Sequence, residues 1–181
     1  MKAKFVYETI GNVLKGKSEE EIMSSLENTN LDSDDLLIQS SEKGFLPGIK
    51  KALEMGANVH ANDDRALRNA SLYGHTNVVE FLLKNGANVH AVEDRALWQA
   101  SEIGHLPVVK LLLNAGADIH AIDNVALRWA STNGHLDVVE LLLKCGANVH
   151  ARNNYALRRA LEKGHEDVVK LLLKNGADVR A

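Results

Sequence analysis

A thirty-residue unit recurs five times along the chain and limits what it can fold into. The second copy, Asn62 to Ala91, reads NDDRALRNASLYGHTNVVEFLLKNGANVHA. The third, Val92 to Ala121, reads VEDRALWQASEIGHLPVVKLLLNAGADIHA. The fourth and fifth begin at Ile122 and Arg152, and a degenerate first copy spans Asp32 to Ala61. The expected boundaries are therefore 32–61, 62–91, 92–121, 122–151 and 152–181, which cover 150 of 181 residues. A unit this short cannot bury an apolar face alone. It does so by stacking on its neighbours, so the period predicts a solenoid whose core is a strip rather than a ball.

Each copy reads as helix, tight turn, helix, connection. In the fourth, Asn124 stands where Asp34, Asp64, Asp94 and Asn154 stand in the others. Asp or Asn there predicts a cap for a first helix of about Val125 to Asn133. Leu127 and Ala130 share one face of it, and small Ala70, Ala100, Ala130 and Ala160 form a column where helices must approach closely. Gly134 ends the helix in a left-handed conformation that costs glycine little. A second helix, about Leu136 to Cys145, carries the stripe Val138, Val139, Leu142 and Leu143. Its start holds Pro47, Asn77, Pro107, Asp137 and Asp167 in successive copies, all residues that suit a helix N-terminus. Ten of thirteen glycines fall in the two turn columns, so glycine serves backbone shape. No glycine-rich loop with lysine and hydroxyl follows a strand, so no nucleotide fingerprint is present.

The run G-H-x-x-V-V-x-x-L-L-x-x-G-A-[DN]-[VI]-H-A resembles the second half of an ankyrin repeat. The first half departs from the pattern. The family period is about 33 residues with T-P-L-H-x-A, whereas here A-L-R-x-A (Ala66 to Ala70) or A-L-W-x-A (Ala96 to Ala100) stands in its place. The missing residues fall after Ala61, Ala91, Ala121 and Ala151, where the family builds a β-hairpin finger. The fold expected is thus an all-α ankyrin-type helical solenoid with shortened fingers, little strand content and an N-terminal helical cap. Compact repeats of this A-L-R type resemble those in the large ankyrin sets of giant DNA viruses. The resemblance implies a non-catalytic protein-binding module, using the concave face of fingers and first helices.

The sequence nominates that face independently. Framework columns barely change, so side chains that vary are free for another purpose. One variable column reads Asp35, Arg65, Arg95, Val125, Tyr155; another reads Ile38, Arg68, Trp98, Arg128, Arg158; a third reads Gln39, Asn69, Gln99, Trp129, Arg159. The two before the turn hold Glu42, Leu72, Glu102, Thr132, Glu162 and Lys43, Tyr73, Ile103, Asn133, Lys163. Aromatics and arginine are the side chains most enriched at binding hot spots. The partner-binding candidates are therefore Arg65, Arg68, Tyr73, Arg95, Trp98, Arg128, Trp129, Tyr155, Arg158 and Arg159. Against this, Trp98 and Trp129 could fill gaps between helices, and the arginines could form a solvated face. Arg68, Arg128 and Arg158 as a basic stripe on a chain of net charge −3 suggest a protein partner with an acidic surface. The alternative is a polyanion or nucleic acid bound through the same stripe, which the weak overall charge disfavours.

Eight histidines fall in two columns, His75, His105, His135, His165 and His60, His90, His120, His150. Ligands of one zinc lie within about 4 Å of each other, closer than residues of successive repeats. The ankyrin resemblance implies that both columns act as hydrogen-bonding staples between repeats, and no metal and no cofactor are expected. No singular nucleophile or base stands out, and Cys145 lies near a helix C-terminus, which does not activate a thiol. One cysteine excludes an intrachain disulfide. No apolar run approaches the ~20 residues that span a bilayer, and the N-terminus lacks a signal-peptide core. A cytoplasmic protein is expected, in the host cytoplasm if viral.

Residues 1–31 are not a repeat. Phe5, Val6, Ile10 and Val13 fit a helical stripe, and Ser18 with Glu21 forms a capping box for a second helix carrying Ile22 and Leu26. This segment is expected to cap the first repeat. In the first repeat's second helix, Gly48, Lys51 and Ala52 replace larger apolar residues, as suits an edge. In the fifth, Leu161 replaces the serine of Ser71, Ser101 and Ser131, so end-to-end self-association is expected through that repeat.

Overall fold

The computed structural model describes residues 32–178, together with Ser18, Glu20, Glu21, Met23 and Ser24. The stripe of Phe5, Val6, Ile10 and Val13, with Ile22 and Leu26, lies outside the described residues, as does most of the expected cap. The capping box lies within them. Ser18 N–H donates to Glu21 Oε2 at 3.2 Å, and Glu21 N–H donates to Ser18 Oγ at 3.3 Å.

Among the described residues the elements are all helices, with no strand. They are α1 Ser33–Glu42, α2 Leu46–Glu54, α3 Ala61–Leu72, α4 Thr76–Lys84 and α5 Ala91–Ile103. There follow α6 Leu106–Asn114, α7 Ala121–Asn133, α8 Leu136–Lys144, α9 Ala151–Lys163 and α10 Glu166–Lys174. The fold is an all-α ankyrin-type solenoid. Two compact units divide it, Met1–Asn88 and Val89–Ala181. In the N-terminal unit α1 packs on α2 and α3, and α3 packs on α4. In the C-terminal unit α7 lies between α5 and α9, and each of these first helices also packs on the second helix of its own repeat. The second helices α6, α8 and α10 pack in series.

The repeated apolar positions make the core of each unit. Leu67 and Leu82 in one, and Leu97, Leu112, Leu127, Leu142, Leu157 and Leu172 in the other, are fully buried. Each such burial stabilises by roughly 1.5–3 kcal/mol. Ala70, Ala100, Ala130 and Ala160 have no exposed surface. A larger side chain in that column would force the first helices apart.

The connections replace the expected fingers with a device the sequence did not disclose. They run into the first turns of α3, α5, α7 and α9, where three consecutive residues leave the helix for the left-handed region: Asn62 to Asp64, Val92 to Asp94, Ile122 to Asn124 and Arg152 to Asn154, with φ between 45° and 57°. Such a conformation costs an ordinary L-residue roughly 1–2 kcal/mol, and Asn and Asp less. Eight of the twelve residues are Asn or Asp, which is what a left-handed turn selects. Three residues thus turn the chain where the longer family repeat uses a hairpin.

The cap reading of Asp64, Asp94, Asn124 and Asn154 is corrected here. No side chain caps α3, α5, α7 or α9. These residues close the left-handed turn instead, and their side chains point elsewhere. The one cap among the first helices is Asp32, whose Oδ1 accepts from Asp34 and Asp35 N–H. Likewise Asn77, Asp137 and Asp167 sit within the first turn of the second helices, whose N-caps are His75, His135 and His165 with no side-chain bond. From there Asp137 Oδ1 accepts the Val138 N–H at 2.8 Å, and all three suit the helix N-terminus by charge or polarity. Ile122 is the residue least suited to its conformation, β-branched at φ 45° and 40 % exposed. Ile122→Asn, matching Asn62 of the second repeat, should raise stability by about 1 kcal/mol. A urea unfolding midpoint that falls instead would mean this turn is not left-handed.

Candidate functional site

The two histidine columns both tie the backbone together, by different bonds. His135 Nε2–H donates to Glu102 O at 2.9 Å, and His165 Nε2–H donates to Thr132 O at 3.0 Å, each reaching back to the preceding repeat. In the N-terminal unit His75 does the same to Glu42 O at 2.9 Å. The ring lies over the glycine of that earlier turn. A Cβ on Gly44, Gly104 or Gly134 would fall within 2.6 Å of the histidine Nδ1. Glycine in this column therefore serves a close approach as well as a positive φ.

The second column works with the left-handed turns. Asp64, Asp94, Asn124 and Asn154 are buried, at 1–5 % exposure. One oxygen of each accepts the backbone N–H of a residue in the next connection: Asn88, Asp118, Asn148 and Asp178, at 2.7–3.2 Å. The same oxygen accepts from Nδ1–H of His60, His90, His120 or His150 at 3.0–3.2 Å. Each of these bonds, within its own unit, ties a left-handed turn to the connection 24 residues further on.

Arginine closes the arrangement. Arg128 is 8 % exposed. Its Nε donates to Asp123 O at 3.1 Å and its Nη2 to Ile122 O at 2.9 Å, two carbonyls of the left-handed turn. Arg68 makes the same pair of bonds to Asp63 O and Asn62 O, at 3.0 and 2.8 Å. Arg158 makes one, to Arg152 O at 3.3 Å. Burial pushes the Arg128 guanidinium below its ordinary pKa, and the charge of Arg152 acts in the same direction. Tyr155 gathers positive charge around it: the guanidiniums of Arg128, Arg158 and Arg159 lie 5.3, 5.9 and 6.0 Å from its ring centroid. Arg152 pairs with Asp123 at 3.1 Å, and Arg159 pairs with Glu162.

The family of ankyrin repeats (three copies) matches residues 17–123 and 97–181. The chain belongs to the ankyrin repeat family. No curated protein matches it. Ankyrin repeats are generally protein–protein interaction modules. Among the described residues of these ankyrin repeats, no helix is long and apolar enough to cross a membrane. No three His, Cys, Asp or Glu side chains there are grouped to hold a metal ion.

The nominated residues of the ankyrin first helices fall into three groups. Arg68, Arg128 and Arg158 bond to turn carbonyls. Arg95 lies 5.3 Å over the Trp98 ring, and Tyr155 lies beneath the arginines. Tyr73 and Trp129 are exposed, at 51 % and 36 %. Arg65 is exposed, while Arg95, Trp98, Tyr155 and Arg159 are half-buried. Ile103, from the same variable column as Tyr73 but outside the nominated set, is 46 % exposed. Its signal was its place in a variable column immediately before the turn glycine. Leu161 of the fifth ankyrin repeat is 48 % exposed, where Ser71, Ser101 and Ser131 are fully buried.

Proposed function

We propose that this chain is a non-catalytic binding module whose protein partner docks on the face formed by the first helices and short connections. The observation that carries the reading is the outward display of Tyr73, Ile103 and Trp129, large apolar side chains at variable positions over an invariant core. Surface aromatics in such a setting are preferred anchors at interfaces. Arg158, exposed beside Tyr155, supports an acidic partner surface. The polyanion reading draws less support, because Arg68 and Arg128 are committed to carbonyls of their own turns. The exposed Leu161 supports self-association through the fifth repeat as a further contact, which the mass of the purified chain in concentrated solution would check.

The test is affinity capture from lysate, comparing wild type with a Tyr73→Ser, Trp129→Ser double variant. Both side chains are exposed, so the variant should keep its melting temperature within a few degrees. A specific partner held by wild type should weaken by about tenfold or more in the variant. Undiminished capture by a folded variant would place the interface away from the first helices.

A further inference from the structure

We infer that the connections of the third and fourth repeats form a docking site for an extended partner segment in which a lysine or arginine stands between two apolar side chains. Val92 and Ile122 take the apolar side chains, and Glu93 takes the base. This rests on the binding-module reading above and names the chemistry of the segment that meets the short connections.

Val92 and Ile122 occupy a place that does not suit them. Both lie in the left-handed region, at φ 53° and 45°, where a β-branched residue is an outlier. The equivalent residues of the second and fifth repeats are Asn62 and Arg152, so the turn does not require a branched side chain. The core does not use them either: Val92 is 42 % exposed and Ile122 40 %. Each strains the backbone and leaves apolar surface in water at once. Strain of this kind gathers at binding sites, where a contact outside the fold accounts for it.

The two side chains sit on neighbouring turns. Asp94 Oδ1 accepts the Asp118 N–H at 2.8 Å, so the turn carrying Val92 is tied to the connection that leads into Ile122. The helices that these turns open, α5 and α7, pack on each other. The next junction shows what stands between such turns. There Arg152 Nε donates to Asp123 Oδ2 at 3.1 Å. One repeat earlier Ile122 holds the place of Arg152, and Glu93 the place of Asp123. The carboxylate is kept, and its cation is replaced by an apolar side chain. Glu93 is exposed, and among the described residues no Lys or Arg pairs with it.

A carboxylate without a cation, flanked by two exposed apolar side chains, is complementary to a cation flanked by two apolar side chains. In an extended chain residues two apart share a face. A base with an apolar residue two positions to either side therefore presents all three side chains together, over about 13 Å. That span is close to the ~10–12 Å diameter of the helices that set the distance between the turns. The site is separate from the acidic surface assigned to Arg158, since that residue belongs to the fifth repeat and Glu93 to the third.

The experiment uses labelled, end-blocked heptapeptide pools with Leu, Ile or Phe at the second and sixth positions and Lys, Gln or Glu at the fourth. Fluorescence anisotropy reads affinity, and the Val92 and Ile122 methyl shifts of wild type read location by NMR. Wild type should bind the Lys pool about threefold tighter than the Gln pool, with a difference that shrinks as salt is raised. Glu93→Gln changes an exposed side chain and should bring the two pools level. The Val92→Asn, Ile122→Asn double variant relieves the strain, so its melting temperature should rise while Lys-pool binding falls about tenfold. A packing role for the two side chains would instead lower the melting temperature. Should the double variant fail to fold, Glu93→Gln decides alone. The inference is overturned if no pool binds, or if the Gln or Glu pool binds wild type as tightly as the Lys pool. It is equally overturned if the bound pool leaves both methyls unmoved, or if the folded double variant binds like wild type. Failure here, with capture still lost in the Tyr73→Ser, Trp129→Ser variant, removes this site and leaves the first-helix face. Success here with undiminished capture there moves the interface from the first helices to the connections.

Discussion

Gly134→Ala should destabilise the C-terminal unit by about 3 kcal/mol, while the matching Gly164→Ala should cost about 1–2 kcal/mol. The two glycines have almost the same backbone, φ +79° and +76°. Any L-side chain at either position carries the left-handed penalty. They differ in what stands over them. A Cβ on Gly134 would lie 2.5 Å from His165 Nδ1 and 2.7 Å from Cε1, whereas nothing lies within 4 Å of the same atom on Gly164. The ring cannot turn aside without loss, because His165 Nε2–H is bonded to Thr132 O. Alanine at 134 must therefore break that bond or push the fifth repeat off the fourth, and in a stacked array that contact is a large part of each repeat's stability. Urea unfolding of both variants decides the matter. His165→Ala in the Gly134→Ala background should recover part of the loss, because it removes the clash as well as the bond. Equal losses for the two glycine variants would show that the histidine contact adds nothing to the backbone penalty.

Much of this architecture was legible in local sequence. Period, helix pairs and turn glycines all follow from residues that act on near neighbours or recur identically, whereas the reach of the His135 and His165 rings came with the ankyrin resemblance. The capping box of Ser18 and Glu21 is legible for the same reason. The left-handed turns were not. Asp and Asn are favoured both as helix caps and in the left-handed region, so Asn124 is ambiguous until its oxygen is seen to meet Asn148 N–H, 24 residues on. Val92, Ile122 and Arg152 in the same turns argue against that conformation if taken alone. The arginine column was ambiguous for a different reason. Sequence shows charge in a variable column, and charge in a variable column suggests recognition. It cannot show that two backbone carbonyls left open by a left-handed turn lie within reach of Arg68 and Arg128. Trp98 was legible as an exception, yet its meaning depends on knowing what the arginines around it do.

Arg128→Ala should cost about 2–3 kcal/mol, the largest effect expected of any charged residue in the C-terminal unit. Burial holds this guanidinium below its ordinary pKa, so the charge is expensive to keep where it is. What offsets that expense is the pair of bonds to Ile122 O and Asp123 O, with the face of Tyr155 against the guanidinium. Arg128→Lys should recover little, because an ammonium cannot span two carbonyls and lie flat on a ring. Arg158→Ala should cost less than about 1 kcal/mol, since that side chain is exposed and makes one longer bond. The local readout is amide exchange at Asn148, whose N–H donates to Asn124 Oδ1 in the clamped turn. Its protection should fall in Arg128→Ala and stay unchanged in Arg158→Ala. If Asn148 exchanges alike in both variants, the turn holds itself and Arg128 is released from this structural duty. It would then be free to act with Arg158 and Arg159 as part of the surface that meets the partner.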